Sequence, residues 1–115
     1  MNNRRFEGRF LCAELVRLDW LAGEDSFRSE QAVLEDISAL GACVQTEESV
    51  PLGSIVMLTV QDTPFYGHVC YCTWRDDGYF VGLRFSNDTV WSASVIRPSH
   101  LTSLDQLEMQ ARARE

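Results

Sequence analysis

The stretch from Phe65 to Phe85 constrains this chain more than any other part of it. Phe65–Trp74 and Tyr79–Phe85 are rich in aromatic and β-branched residues, and Arg75-Asp76-Asp77-Gly78 lies between them. An Asp-Gly step between two apolar runs is a strong hairpin signal, because a tight turn needs backbone angles that these residues tolerate. In the second run Tyr79, Val81, Leu83 and Phe85 alternate, so a strand would place all four on one face, read here as the core face. Similar runs recur at Phe10–Leu18, near 31–37, near 40–46 and at Ser54–Gln61, the last containing the apolar stretch Ile55 to Leu58. Breakers separate them. Residues 20–30, with Gly23, Glu24, Asp25 and Ser26, read as a loop, and Pro51-Leu52-Gly53 and Asp62-Thr63-Pro64 read as turns. Six short strands at regular intervals predict an all-β, closed or sandwiched architecture.

After Pro98 the period changes. Leu104, Leu107 and Ala111 fall at helical spacing, and Thr102 or Ser103 can cap the start, which predicts a C-terminal α-helix over 101–113 packed on one barrel end. A chain of 115 residues fits a single domain over 1–115, with a mobile N-terminal arm over 1–9 and the barrel over 10–86.

Composition narrows the function. Apolar residues make up 45% of the chain, too many for disorder. No apolar run reaches the length of a membrane span, and the first residues carry charge without a signal-peptide core, so a cytoplasmic location is expected. Four cysteines without a secretory signal read as reduced, buried thiols (Cys12, Cys43, Cys70, Cys72) rather than as disulfides. The net charge of −7 argues against a nucleic-acid polymer as partner. Yet the first nine residues hold three Arg against one Glu, a local balance that suits a small anionic ligand.

Two short motifs supply the matching chemistry. Arg5-Phe6-Glu7-Gly8-Arg9 is an RxxxR, and Asp36-Ile37-Ser38-Ala39-Leu40-Gly41 is a DxSxxG. Guanidinium forks match phosphates and the O6/N7 edge of guanine, and short Asp and Ser side chains can meet the remaining base edges. RxxxR alone carries little information, since all ten basic residues here are Arg. Asp, Ser and Gly taken alone are also ordinary turn residues. The two motifs in this order are followed by Gly67-His68-Val69 and by Val81-Gly82-Leu83-Arg84-Phe85. Together they resemble the PilZ domain, a bacterial receptor for cyclic di-GMP, over about residues 4–101.

The resemblance implies a six-stranded antiparallel PilZ-like β-barrel with a C-terminal α-helix, and a non-enzymatic receptor whose ligand is cyclic di-GMP, with no cofactor. It makes Arg5 and Arg9 the motif arginines and Asp36, Ser38 and Gly41 the barrel-side ligand residues. Arg4, just before the motif, goes in this family with binding a stacked pair of ligands. Asp36 can accept from guanine N1–H and N2–H, Ser38 can add a contact, and Gly41 leaves space for a base. The arm is expected to order across the barrel on binding, with output through an unidentified protein partner. Glu7, between the two arginines, can compete with phosphate for them. The rival reading is a PilZ-like interaction module of a motility or pilus assembly that binds no nucleotide.

Other chemistries find less support. His68, Cys70 and Cys72 alternate and would share a face, but residues four apart in a strand are about 13 Å apart, too far for His68 and Cys72 to share a zinc. His68 and His100 are the only histidines, and neither sits in a triad motif. Glu47-Glu48 reads as a solvated turn. Trp20, Trp74 and Trp91 read as packing residues, with Trp20 placed at the start of a loop.

Overall fold

The computed structural model describes residues 10–22, 26–86 and 102–103. Seven strands run in chain order: β1 (Phe10–Leu21), β2 (Phe27–Ile37), β3 (Gly41–Thr46), β4 (Ile55–Val60), β5 (Thr63–Arg75), β6 (Gly78–Phe85) and the two-residue β7 (Thr102–Ser103). Neighbours follow the order β2-β3-β6-β5-β4-β1, and β1 returns to pair with β2, so six antiparallel strands close into a barrel. β7 adds to β1 at Phe10 and Leu11.

Alternation explains the interior. Val16, Leu18 and Trp20 of β1 point inward with Ala32 and Leu34 of β2 and Ala42 and Val44 of β3. Val56, Leu58 and Val60 of β4, Phe65 and Val69 of β5, and Val81, Leu83 and Phe85 of β6 complete the ring. The β6 core face is as the alternation predicted, with Tyr79 packed partly against it. Phe65 and Phe85 stack at 5.4 Å between centroids. β3 and β4 are not neighbours in the ring, so their connection crosses one barrel end, and Val50 from it is 1% exposed and closes the core there.

Several boundaries differ from expectation. β2 starts at Phe27, inside the stretch read as loop, and Trp20 is a core residue of β1, 2% exposed, rather than the start of a loop. The β5–β6 hairpin turns on Asp76 and Asp77, with φ of 55° and 66°, while Gly78 is the first residue of β6. The β4–β5 turn uses Gln61 and Asp62, with φ of 50° and 70°, and Thr63 and Pro64 already belong to β5. Both pairs have the left-handed angles of the tightest hairpin turns, which suit the strand twist. Within the span predicted as helix, Thr102 and Ser103 pair as strand; the rest of 101–113 lies outside the described residues. Among the described residues no helix is long and apolar enough to cross a membrane.

Candidate ligand-binding site

The DxSxxG motif forms the β2–β3 connection, at the barrel end where β1 begins and β6 finishes. Straight alternation from Ala32 and Leu34 would send Asp36 into the core. A bulge prevents this: Leu34 faces Val44 and Asp36 faces Cys43, leaving Glu35 as an extra residue. The core phase therefore resumes at Ile37, which is fully buried, while Asp36 and Ser38 stay half-buried on the outer side.

Ser38 is engaged in holding the turn. Its N–H donates to the Gly41 carbonyl at 2.8 Å, its Oγ accepts from Leu40 N–H at 3.3 Å, and its hydroxyl reaches the Gly41 carbonyl at 3.4 Å. Phe85 N–H donates to the Leu40 carbonyl at 2.8 Å, which ties the turn to the end of β6. Gly41 also meets a demand from the protein's own backbone. A Cβ there would overlap the Leu83 carbonyl oxygen, so the missing side chain makes room for the protein's own β6 backbone.

The arginine half of the site, Arg4, Arg5 and Arg9 together with Glu7, lies outside the described residues. The backbone that follows it does not. β1 begins with Phe10 opposite Ile37 and Leu11 opposite Asp36. The chain therefore enters β1 beside DxSxxG.

The surroundings of Asp36 are acidic. The Cys12 thiol is pushed up to about 12, chiefly by burial and then by Asp36, Glu14 and Glu35. Burial, then Asp36, raises the Glu35 carboxyl from its ordinary value, and Arg75 opposes the shift. Arg75 itself lies over the Phe80 ring, 4.1 Å from its centroid.

Register also gathers outer-face residues from five strands. Leu11, Asp36, Cys43, Gly82 and Tyr71 form one row across β1, β2, β3, β6 and β5. The next row holds Gly41, Arg84 and His68. Nothing in the linear spacing announces these rows, because a second bulge, at Cys70 in β5, sets which β5 residue meets Gly82. The same bulge overturns the shared face expected of His68, Cys70 and Cys72. His68 and Cys70 are exposed, while Cys72 packs against the core. Of the four free thiols Cys43 is buried and Cys12 and Cys72 are half-buried, but Cys70 is exposed, against the expectation of burial. Its Sγ lies 3.3 Å from the Gly82 carbonyl. Among the described residues no group of three or more His, Cys, Asp or Glu converges as metal ligands.

A separate cleft of 340 Å³ lies at the opposite barrel end, against Trp20, Arg28, Glu48, Pro51 and Tyr79. Arg28 pairs with Glu48 at 3.4 Å, and Glu30 accepts from the N–H groups of Glu47 and Glu48 at 2.6 and 3.2 Å. Glu47 and Glu48 are exposed, as a solvated turn would be, and these contacts tie the turn to β2.

The chain thus closes into a barrel with DxSxxG on its rim and the start of β1 paired beside it. The PilZ domain family model matches residues 3–97. The chain belongs to the PilZ family. PilZ domains are a cyclic di-GMP-binding family and act as binding or effector domains rather than enzymes. Among curated proteins none matches this PilZ domain.

Proposed function

We propose that this PilZ domain is a cyclic di-GMP receptor and effector, acting in the cytoplasm, that folds its N-terminal arm over the barrel on binding and signals through a protein partner. The pairing of Leu11 with Asp36 carries the reading, since it joins the chain following RxxxR to the barrel beside DxSxxG. From Leu11, Arg9 is at most about 7 Å and Arg5 about 20 Å of extended chain away, so both can reach a ligand seated at Asp36 and Ser38. The division of labour follows from chemistry. Arg5 and Arg9 neutralise phosphates and read guanine O6/N7, Asp36 accepts from guanine N–H groups, and Ser38 and Gly41 supply the rim. Acids around Asp36 repel an anion, so arginines must be brought with the ligand. That requirement couples binding to ordering of the arm, and the ordering can alter a partner surface only if the partner prefers one state.

Calorimetric titration of the whole chain with cyclic di-GMP tests this. Micromolar or tighter binding that Arg5→Ala and Arg9→Ala each abolish is expected. A folded protein that gives no heat would overturn the proposal. Two ligands per chain would place Arg4 in the site; one would exclude that role.

One observation favours the rival reading, a non-binding interaction module of a motility or pilus assembly. Ser38 and Gly41 are both accounted for by the turn and by the Leu83 carbonyl, without a ligand. The same titration separates the two.

A further inference from the structure

Among the described residues, the arginines are Arg17, Arg28, Arg75 and Arg84. Three of them are committed. Arg17 pairs with Asp19 at 3.2 Å, Arg28 pairs with Glu48 at 3.4 Å, and Arg75 lies over the Phe80 ring. Arg84 has no acid or ring as partner among the described residues. It is exposed, and it sits between the core residues Leu83 and Phe85, so its side chain faces out of the barrel. Exposure alone means little for an arginine. Its neighbours give it meaning. Register sets Arg84 opposite Gly41 of DxSxxG on one flank and opposite His68 on the other, and His68 faces Ile55 in turn. That row carries no carboxylate, whereas the row beside it carries Asp36. Gly41 leaves the flank toward the motif bare, since a Cβ there would stand 3.4 Å from the Arg84 Cα. Gly41 also accepts from Ser38 N–H at 2.8 Å, so the motif turn lies one strand spacing, about 5 Å, from β6. Along the strands the two rows are two residues apart, about 7 Å.

We infer that Arg84 binds a phosphate of the ligand seated at Asp36 and Ser38, as a cation fixed on the barrel and outside both motifs. The inference rests on the cyclic di-GMP reading above and adds a residue to it. The two rows divide the chemistry. Asp36 suits guanine N–H groups and repels a phosphate, and the neighbouring row supplies the opposite charge. A guanidinium fork grips a phosphate through two parallel hydrogen bonds. β6 is laddered to β3 on one side and β5 on the other, so the backbone under Arg84 is in place before any ligand arrives. Its contact therefore carries no cost of ordering main chain. Arg84 complements the arm without replacing it, because Asp36, Glu14 and Glu35 gather around Cys12 nearby and outnumber it.

The test uses the full chain and cyclic di-GMP. Arg84→Ala should keep the wild-type Tm, because the side chain is exposed, and should raise Kd roughly 10- to 150-fold, the range for one charge-assisted hydrogen bond. Arg84→Lys keeps the charge without the fork and should fall between the two. Arg17→Ala removes an equal charge from β1 and should leave Kd unchanged. A second readout needs no substitution: on saturation with cyclic di-GMP, the Nε–H resonance of Arg84 should shift while that of Arg17 stays in place. A folded Arg84→Ala protein with wild-type Kd, an equal loss in Arg17→Ala, or an unmoved Arg84 resonance would overturn the inference while leaving the receptor reading intact. Failure of the wild-type chain to bind at all would overturn both.

Discussion

Leu11 and Asp36 are direct partners in the β1–β2 ladder, 25 positions apart in sequence and facing each other in space. Through that one ladder the segment after RxxxR meets DxSxxG. The start of β1 is therefore set beside DxSxxG by strand register.

The rim of the site is built tightly. Gly41→Ala is expected to cost about 1–3 kcal/mol, because the new methyl meets main chain, which cannot move aside as a flexible side chain would. Chemical denaturation of the two proteins measures it, and an unchanged midpoint would show that β6 yields.

Ser38→Ala removes the hydroxyl that accepts from Leu40 N–H and reaches the Gly41 carbonyl. A loss of about 0.5–1.5 kcal/mol is expected, the ordinary range for such bonds. The measurement matters for interpretation, since any binding defect of this variant must first be corrected for it.

At the opposite end the hairpin holds two non-glycine residues in left-handed backbone, Asp76 and Asp77. Replacing the pair with Asn-Gly should stabilise the barrel by about 1 kcal/mol, since those residues adopt the same angles with less strain. Thermal melts would show a raised Tm; a lowered one would mean that the aspartates make contacts that offset their strain.

Glu35 has its folded-state pKa raised above 4.5. Its charged form is thus disfavoured in the native protein, so it contributes a penalty at neutral pH that disappears as pH falls through the raised value toward 4.5. Glu35→Gln should melt higher than wild type at pH 7, and the gap should close near pH 4. A gap independent of pH would point to packing instead of charge.

The thiols should separate by accessibility. Cys70 is exposed, Cys43 is buried, and Cys12 is held as a thiol by its pKa of about 12. A brief exposure to iodoacetamide near pH 8, followed by peptide mass mapping, should find label on Cys70 first and little on Cys12 or Cys43.

Much of the barrel was legible because it obeys period two. Tyr79, Val81, Leu83 and Phe85 announce their face, and the turn signals near Pro51, Asp62 and Asp76 mark real reversals. The first half of β2 was not legible, since Phe27 to Ser29 are exposed and Glu30 is half-buried, so no buried face imposes a pattern on them. The bulges at Glu35 and Cys70 were equally silent. One inserted residue leaves no compositional trace, yet it changes which side chains face out. That is why Asp36 and Ser38 could be named from the sequence while the row that joins Asp36 to Cys43 and Gly82 could not. The demand that Leu83 makes on Gly41 was silent as well, because it comes from a long-range neighbour.

The double role of β1, which pairs with β2 on one side and with β4 on the other, has a kinetic consequence. The β1–β2, β2–β3, β4–β5 and β5–β6 hairpins join strands next to each other in the chain and can form early. The ladder from Arg17–Trp20 to Val56–Thr59 spans far more chain, so its closure entropy must be met before its contacts are gained. The first strand made is thereby held half-paired until the fourth arrives, and sealing that seam is the step expected to govern how fast the domain reaches its native state.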